Sequence, residues 1–247
     1  MAWRSATRGS KKGSNAGKIF LLQTMFTYRM SNVLDLLNGQ SNLSAIVIRH
    51  AQRHEIVGAE GYWTTGLTAA GLEQAHEFGR ALAGRFSGYR VFHSPVKRCE
   101  QTAKAIAQEL GVEQVRPENT LGVSYIRVSV EEGFAEADRH GDNFIRAWFS
   151  GRVPPEIFMP LPEARDIQIA YLRSKLDEAP RKTLDIHITH DWNINVLREG
   201  IFGLRHEDVG WPDFLSGLAL SRDSGLTTAA LADGKSIRKK IISAIPL

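Results

Sequence analysis

Segments with the pattern of buried strands alternate with segments of helical periodicity along most of this 247-residue chain. The strand-like segments are short and rich in valine, isoleucine and alanine, as in sheets that are covered on both faces. Predicted strands cover residues 44–50, 89–94, 184–190, 217–223 and 226–233, and predicted helices follow Thr68, Ser94 and His190 and cover residues 163–178. This alternation predicts an α/β fold, a three-layer α/β/α sandwich around a mainly parallel central sheet.

The domain organisation follows from where this alternation begins and where it is interrupted. Residues 1–40 precede it and are predicted to form a flexible extension, because the first 30 residues carry six basic and no acidic side chains. A targeting segment is the alternative for such a basic start. Residues 41–247 form the predicted globular domain. Residues 118–162 break the pattern and are rich in proline, so we expect an insertion over one edge of the sheet.

Composition limits the classes of function that the chain can have. The basic start contains six of the 31 basic residues, which leaves 25 basic against 27 acidic residues in the remainder. A nucleic-acid-binding domain carries its positive charge on the folded part, so nucleic acid is not an expected partner. No segment approaches the length of a membrane span. The single cysteine, Cys99, excludes an internal disulfide, and we predict a cytoplasmic protein without a membrane partner.

Cationic and polar side chains lie at the ends of three of the predicted strands. Because the carboxyl ends of parallel strands meet at one edge of a sheet, these side chains are expected to converge. Guanidinium groups and helix N-termini both favour a bound anion. The pattern therefore predicts an anion-binding site. Its candidate residues are Arg49, His50 and Arg53 after the first strand, Arg98 in the first turn of the helix after the second strand, and His190, Asp191 and Asn193 after the strand at 184–190.

Several of these residues also have a purely structural interpretation. Asp191, directly after a strand, is in the position of an ordinary helix N-cap. Arg98 is able to pair with a glutamate on the protein surface. A core histidine is a further alternative for His50 and His190, although this interpretation suits His93 and His187 better.

The spacing of the histidines raises the question of a metal site. His50 and His54 are four residues apart, and His187 and His190 are three residues apart. However, three arginines at the same edge would repel a divalent cation, and no thiolate or suitable carboxylate accompanies the histidines. We therefore predict that the site holds no metal and needs no cofactor.

Four segments of the chain resemble the histidine phosphatase superfamily, which includes phosphoglycerate mutases and histidine acid phosphatases. They read IVIRHAQR, LTAAGLEQAHEFGRAL, HSPVKRCEQTAKAIA and ITHDWN, and they occur in the order in which the family has them. The resemblance implies that His50 is a nucleophile that carries a phosphoryl group. It also implies that Arg49, Arg53 and Arg98 bind the phosphate and that His190 is the second histidine of the pocket.

The resemblance offers two patterns for the residue that protonates the leaving group. The mutase-like members use a glutamate after the second-arginine helix, where this chain has only Glu118, ahead of the expected position. The histidine acid phosphatases use an aspartate after the second histidine, in an H-D-x-N pattern that His190, Asp191 and Asn193 match. We therefore assign Asp191 as the proton donor, and we place His190 and Asn193 among the phosphate-binding residues.

The predicted function is that of a metal-independent phosphatase, which hydrolyses a phosphate monoester through a phosphohistidine intermediate. A neutral imidazole is a suitable nucleophile for a dianionic ester, and arginines bind phosphoryl oxygens in a bidentate manner. A phosphoglycerate mutase-like phosphotransferase and a binding module without turnover are the alternatives. The expected partner is a small phosphorylated molecule, and the sequence does not predict an oligomeric state.

Residues 118–162 are expected to recognise the rest of the substrate. They contain a mixture of cationic and aromatic side chains. This mixture fits a polyanionic substrate, such as an inositol or nucleotide phosphate, and it fits a solvated surface equally well. The residues concerned are Tyr125, Arg127, Arg139, His140, Arg146, Trp148 and Arg152.

Overall fold

A computed structural model describes residues 33 and 36 and residues 43–223, 226–232 and 237–242. Seven strands lie within these residues: β1 (Leu43–Arg49), β2 (Gly88–His93), β3 (Val115–Pro117), β4 (Thr183–Thr189), β5 (Gly217–Asp223), β6 (Leu226–Ala232) and β7 (Ile237–Ile241). They form one sheet with the spatial order β3-β2-β4-β1-β5-β6-β7.

Four neighbouring strands of the sheet are parallel and the other three are antiparallel. β3, β2, β4 and β1 run in one direction, whereas each of β5, β6 and β7 runs opposite to the strand before it in the sheet. The predicted α/β sandwich with a mainly parallel centre is confirmed. The exposed edge strand β7 was not predicted, because its sequence IRKKI lacks the apolar pattern of a buried strand.

Helices connect the strands and cover both faces of the sheet. They are α1 (Gly58–Thr64), α2 (Ala69–Leu82), α3 (Lys97–Leu110), α4 (Val130–His140), α5 (Phe144–Phe149), α6 (Leu161–Glu178), α7 (Asp191–Phe202) and α8 (His206–Val209), with short 3-10 turns at Asn119–Leu121 and Gly141–Asn143. Within the described part of the chain, no helix combines the length and apolarity that crossing a membrane requires.

Strand β1 shows why a core forms on each face of the sheet. Successive side chains of a strand point to opposite faces. Ile46 and Ile48 pack in an apolar cluster with residues of α2 and α3, whereas Ala45 and Val47 pack in a second cluster with residues of α6 and α7. Because β1 is buried on both faces, its sequence is a continuous apolar run rather than an alternating one.

One of the two helix starts predicted from a cap residue is confirmed, and the other is wrong. The Thr68 hydroxyl accepts a hydrogen bond from Gly71 N at 2.9 Å and caps α2. Ser94 does not cap α3, which begins at Lys97 with Val96 as its N-cap residue. The Ser94 hydroxyl instead contacts His190 at 2.8 Å, so a tertiary contact takes the place of the local one.

The predicted boundary of the N-terminal extension needs a correction. Val33 and Leu36 are almost completely buried and belong to the apolar cluster beneath α2 and α3. The globular part of the chain therefore includes residues before position 41. The other residues of the predicted extension lie outside the described part of the chain.

The insertion that was predicted after the sheet edge has an apolar core of its own. It leaves the edge strand β3 and contains α4 and α5. Tyr125, Phe144, Trp148 and Phe158 pack there against Val196 of α7. Because α7 begins where β4 ends, this contact places the insertion next to the carboxyl ends of the parallel strands.

His187 on β4 is a core histidine, as predicted. Its ring stacks on Phe92 of the neighbouring strand β2, with centroids 4.9 Å apart, and its Nδ1 contacts the Tyr171 hydroxyl at 3.1 Å. Burial, with smaller effects of Arg90 and Lys175, lowers the pKa of His187 to about 3. The imidazole is therefore neutral in the folded protein at all but strongly acidic pH.

Acid should destabilise the protein in part through His187. In the unfolded chain this imidazole gains a proton below about pH 6.5, whereas the folded chain keeps it neutral down to about pH 3. Between these pH values the unfolded state therefore binds more protons than the folded state. As the pH decreases, this group lowers the free energy of unfolding by up to about 1.4 kcal/mol for each pH unit. Urea denaturation across this range should show a shallower pH dependence for His187→Gln. An unchanged dependence would contradict the neutral, buried imidazole.

Candidate active site

Three elements bring two histidines and an arginine into direct contact. His50 follows β1, His190 follows β4, and Arg98 lies in the first turn of α3. Arg98 Nε lies 3.1 Å from His50 Nε2, and Arg98 Nη2 lies 3.1 Å from His190 Nδ1. The convergence that was predicted from the strand ends is present for these three side chains.

The hydrogen bonds of His50 define which of its nitrogens is free to react. Its Nδ1 lies 2.8 Å from the Ala51 carbonyl oxygen, which can only accept, so Nδ1 carries the proton. Its Nε2 accepts from Arg98 and therefore presents a lone pair. Burial, followed by the charges of Arg49 and Arg98, lowers the pKa of His50 well below its usual value. His50 is thus a neutral imidazole with its unprotonated nitrogen directed at a guanidinium.

His190 has the opposite tautomer. Its Nδ1 faces Arg98, which can only donate, so the proton lies on Nε2 and is donated to the Ser94 hydroxyl at 2.8 Å. Burial and the neighbouring Arg98 charge lower the pKa of His190 well below its usual value. The ring is therefore neutral and positions Arg98 next to His50.

Arg98 is a buried cation that its neighbours hold in one orientation. Its side chain is only 3% exposed. Nη1 donates to the Tyr62 carbonyl oxygen at 2.5 Å, and the guanidinium lies over the Tyr62 ring, 4.8 Å from the centroid. Each of Nη1 and Nη2 carries a second N–H that these contacts do not use, so the fixed guanidinium is still able to donate to an oxyanion.

Arg49 pairs with Asp191 across the ends of β1 and β4. Arg49 Nη2 lies 2.8 Å from Asp191 Oδ2, and Arg49 Nη1 donates to the Pro212 carbonyl oxygen at 2.6 Å. Arg49 Nε is buried without a hydrogen-bond partner. A buried guanidinium with an unused donor is suited to bind an additional acceptor.

Asp191 is the first residue of α7 rather than its N-cap, a position that His190 occupies. Burial alone would raise the pKa of the Asp191 carboxyl group, but Arg49 and the Trp211 indole outweigh it and the pKa is lowered. Asp191 is therefore a carboxylate at neutral pH in this arrangement. Its side chain is 21% exposed, so solvent and a ligand both reach it.

Arg53 lies in the loop after β1, within electrostatic range of Arg98 and Asp191. Its Nη1 donates to the His54 carbonyl oxygen at 2.8 Å. Burial, followed by repulsion from Arg98, lowers the pKa of Arg53. The charge of Arg53 in turn affects the pKa values of His190 and Asp191, as expected for a third cation close to both.

Gly71, in the segment LTAAGLEQ, allows the start of α2 to lie directly against the loop between His50 and Arg53. A Cβ atom at this position would lie 1.9 Å from the carbonyl oxygen of Gln52. The same oxygen accepts a hydrogen bond from Thr68 N at 3.1 Å. Only glycine allows this approach, through which α2 supports the loop between His50 and Arg53.

Two other carboxylates, Glu118 and Glu132, form contacts away from the candidate site. Glu118, the acid nearest to the mutase-like position, pairs with Lys175 at 2.8 Å. Glu132 forms a capping box with Ser129 at the start of α4. Neither contact involves a candidate residue of the anion site, whereas Asp191 pairs directly with Arg49.

Cys99 packs against the site without being suited to react there. Its sulfur lies 3.6 Å from His190 Nε2. Burial raises the pKa of the Cys99 thiol to about 12, so the nucleophilic thiolate is not formed at neutral pH. Over the described residues, no group of three or more His, Cys, Asp or Glu side chains is arranged to hold a metal ion.

A family model for the histidine phosphatase superfamily, branch 1, matches residues 45–209. This match spans more than half of the chain and includes every candidate residue of the anion site. The chain belongs to the histidine phosphatase superfamily. No curated protein matches it at a significant level.

Solved structures share the fold of this chain. One is mycobacterial glucosyl-3-phosphoglycerate phosphatase in complex with inorganic phosphate, with 17% identity over 81% of this chain and 95% of that chain and a TM-score of 0.51. Another is phosphoglycerate mutase from Bacillus anthracis str. Sterne, with 15% identity over 79% of this chain and 98% of that chain and a TM-score of 0.51. At these identities the likeness concerns the fold.

The candidate site contains a segment that the sequence reasoning missed. Trp211 Nε1 donates to Asp191 Oδ2 at 3.1 Å. The centroid of the Phe214 ring lies 4.2 Å from the guanidinium carbon of Arg49. It lies 5.8 Å from the centroid of the His50 ring. This segment follows the residues that the family model matches. The sequence WPDF, with two aromatic residues near a proline in a loop, was the available signal.

Asn193 has a different environment from the one predicted for it. Its side chain is 1% exposed, and Nδ2 donates to the carbonyl oxygens of Leu121 and Gly122 at 3.3 and 2.9 Å. The amide therefore ties the start of the insertion to α7. These contacts do not bring Asn193 together with the three arginines.

Proposed function

We propose that the protein is a phosphoric monoester hydrolase that transfers a phosphoryl group first to His50 and then to water. The contact between Arg98 Nε and His50 Nε2 at 3.1 Å carries this proposal. It leaves the reactive nitrogen unprotonated and places it beside a group that binds phosphoryl oxygens. The candidate nucleophile, His50 Nε2, and a guanidinium suited to bind phosphoryl oxygens thus lie side by side.

In the first step, the hydrogen bond from Arg98 Nε to His50 Nε2 breaks, the lone pair of Nε2 attacks phosphorus, and the bond from phosphorus to the ester oxygen breaks. The bonding electrons go to that oxygen, which takes a proton from the Asp191 carboxyl group. Arg49, Arg53 and Arg98 stabilise the charge on the three non-bridging oxygens. The Ala51 carbonyl oxygen, 2.8 Å from Nδ1, stabilises the positive charge that the ring acquires.

In the second step, water attacks the phosphohistidine and gives its proton to the Asp191 carboxylate. The bond from phosphorus to Nε2 breaks, and its electrons restore the lone pair of the neutral imidazole. Inorganic phosphate leaves, and the protonated Asp191 is ready for the next substrate. Proton transfer by the same carboxyl group in both directions follows general acid–base catalysis.

Asp191 has to separate from Arg49 and gain a proton before it acts as an acid. The phosphoryl dianion competes with the carboxylate for the Arg49 guanidinium. Loss of this pairing, together with the negative charge of the ligand, raises the pKa of Asp191. Because the protonated fraction falls as the pH rises, the enzyme is expected to work best at mildly acidic pH.

Phosphate release should be independent of metal ions, because arginines supply the positive charge. With a panel of phosphate monoesters as substrates, EDTA should leave the rate of phosphate release unchanged. Vanadate, which adopts the geometry of the phosphoryl group in transfer, should inhibit competitively. Release of inorganic phosphate, measured for each substrate, is the experiment that tests the proposed function.

The same assay separates the alternatives. Activity that EDTA abolishes and zinc restores would contradict the proposed mechanism. A mutase would move the phosphoryl group within the substrate and release little phosphate, whereas a binding module would bind vanadate without turnover. A cytoplasmic location is part of this proposal and rests on composition alone.

A further inference from the structure

The substrate has a part beyond its phosphoryl group, and three of the four arginines in residues 118–162 are paired with carboxylates, whereas the exposed Arg152 contacts the Ser150 hydroxyl. Arg146 pairs with Glu199 and Glu207 at 2.7 and 2.8 Å, so one guanidinium is shared by two carboxylates. Arg127 pairs with Glu163. These groups have no net positive charge, and a polyanion would be repelled by the carboxylates that surround each arginine.

A similar pairing occurs on α4. Glu136 is buried and accepts from Arg139 at 2.5 Å, and it also lies 3.3 Å from His140. Tyr125 and Trp148 are buried in the core of the insertion. Apart from Arg152, the cationic and aromatic residues that suggested recognition of a polyanion are thus engaged in ion pairs with carboxylates or buried in the core of the insertion.

The groups that adjoin the anion site beyond its arginines are aromatic. The centroid of the Tyr62 ring lies 5.7 Å from that of the His190 ring and 5.0 Å from that of the Trp63 ring. Phe214 lies against His50 and Arg49. Trp211 contacts Asp191 through its indole nitrogen. The surroundings of the candidate nucleophile and acid are therefore apolar and flat.

Two of these aromatic residues are exposed, which is unusual for such large apolar side chains. Trp63 is 41% exposed and Trp211 is 39% exposed. Trp211 contacts Asp191 directly. Trp63 packs on the Tyr62 ring, which in turn adjoins His190. Indole rings that are exposed beside a polar site are well suited to contact a flat ligand.

We propose that the substrate carries a single phosphoryl group on a flat, apolar leaving group, as an aryl phosphate does, and that Trp63 and Trp211 contact this group. The proposal rests on the proposed function for the identity of the site, and it adds the substrate class. Arg49, Arg53 and Arg98 match the oxygens of one phosphoryl group. The exposed indoles provide the surface for the remainder.

Binding of stable phosphonates tests this proposal without any chemical step. In isothermal titration calorimetry, benzylphosphonate should bind about tenfold more tightly than methylphosphonate, the gain expected from aromatic contact. The ratio of the two affinities should fall toward one in Trp63→Ala and in Trp211→Ala. Both ligands share the phosphonate group, so its contribution to binding cancels in the ratio. The ratio therefore reports the contact with the aromatic ring. Leu226→Ala, at the exposed start of β6, should keep the wild-type ratio.

A second ligand pair tests the charge argument. 2-Carboxyethylphosphonate should bind no more tightly than methylphosphonate, because carboxylates of the protein already pair with Arg127, Arg139 and Arg146. Tighter binding of the carboxylate, or an affinity ratio for benzylphosphonate that both tryptophan variants leave unchanged, would overturn the proposed substrate class. Failure of the proposed function is distinguishable, since it would appear as phosphonate binding without phosphate release from any monoester.

Discussion

Replacement of His50 by alanine is expected to abolish phosphate release, with a loss of about 10⁵-fold or more, as for other residues that form a covalent intermediate. The reason is that Nε2 is the atom that accepts the phosphoryl group, and no water held in its place has comparable nucleophilicity. The arginines remain, so the variant should still bind inorganic phosphate in a calorimetric titration. This binding separates loss of chemistry from loss of the site.

A chemical label distinguishes the role of His50 further. Brief incubation with a radioactively phosphorylated substrate should leave acid-labile, alkali-stable label on the wild-type protein and none on His50→Ala. His187→Gln, which changes a buried histidine of the core, serves as the matched control and should retain both label and turnover. Substantial activity in His50→Ala would show that another residue is the nucleophile.

Asp191→Asn is expected to reduce turnover steeply for alkyl phosphates and much less for p-nitrophenyl phosphate. An alkoxide needs a proton as it leaves, and general acid catalysis typically contributes about 100- to 10,000-fold, whereas nitrophenolate leaves with little help. The substitution also removes the carboxylate that pairs with Arg49 at 2.8 Å. KM should therefore stay constant or fall while kcat decreases, a split that a damaged binding site would not produce.

Two further observations decide whether Asp191 is the proton donor. Glu131→Gln, which changes an exposed carboxylate of α4, is the matched control and should leave both substrates unaffected. Equal losses on the two substrates in Asp191→Asn, with the fold intact, would count against Asp191. Glu131 would then be the next candidate, because Glu132 already caps α4.

The convergence of His50, Arg98 and His190 was predictable from the sequence. Each residue directly follows a parallel strand or begins the helix after one, and the carboxyl ends of such strands meet at one edge of the sheet. The prediction therefore required only strand positions and direction. The apolar runs of β1 and β4 provided both, because strands buried on two faces leave an unmistakable pattern.

The contacts that set the chemistry were not predictable in the same way. Ser94 has the sequence context of a helix cap, yet its hydroxyl contacts His190, 96 positions away. Arg146 looked like a cation for a substrate, yet its carboxylate partner Glu199 lies 53 positions away. A side chain that is able to form one of several hydrogen bonds or ion pairs is assigned only when the fold brings one partner within reach.

The sequence by itself determined the α/β architecture, which depends on local periodicity, and it placed His50 among the polar residues next to strand ends. Its role as the candidate nucleophile is what the family resemblance implies. The tertiary structure alone decided the tautomers of His50 and His190, the pairing of Arg49 with Asp191, and the presence of Trp211 beside that carboxylate. Hydrogen bonds and charge pairs act over a few ångströms. Which groups come so close depends on the packing of elements that are distant in the chain, and no local pattern records it.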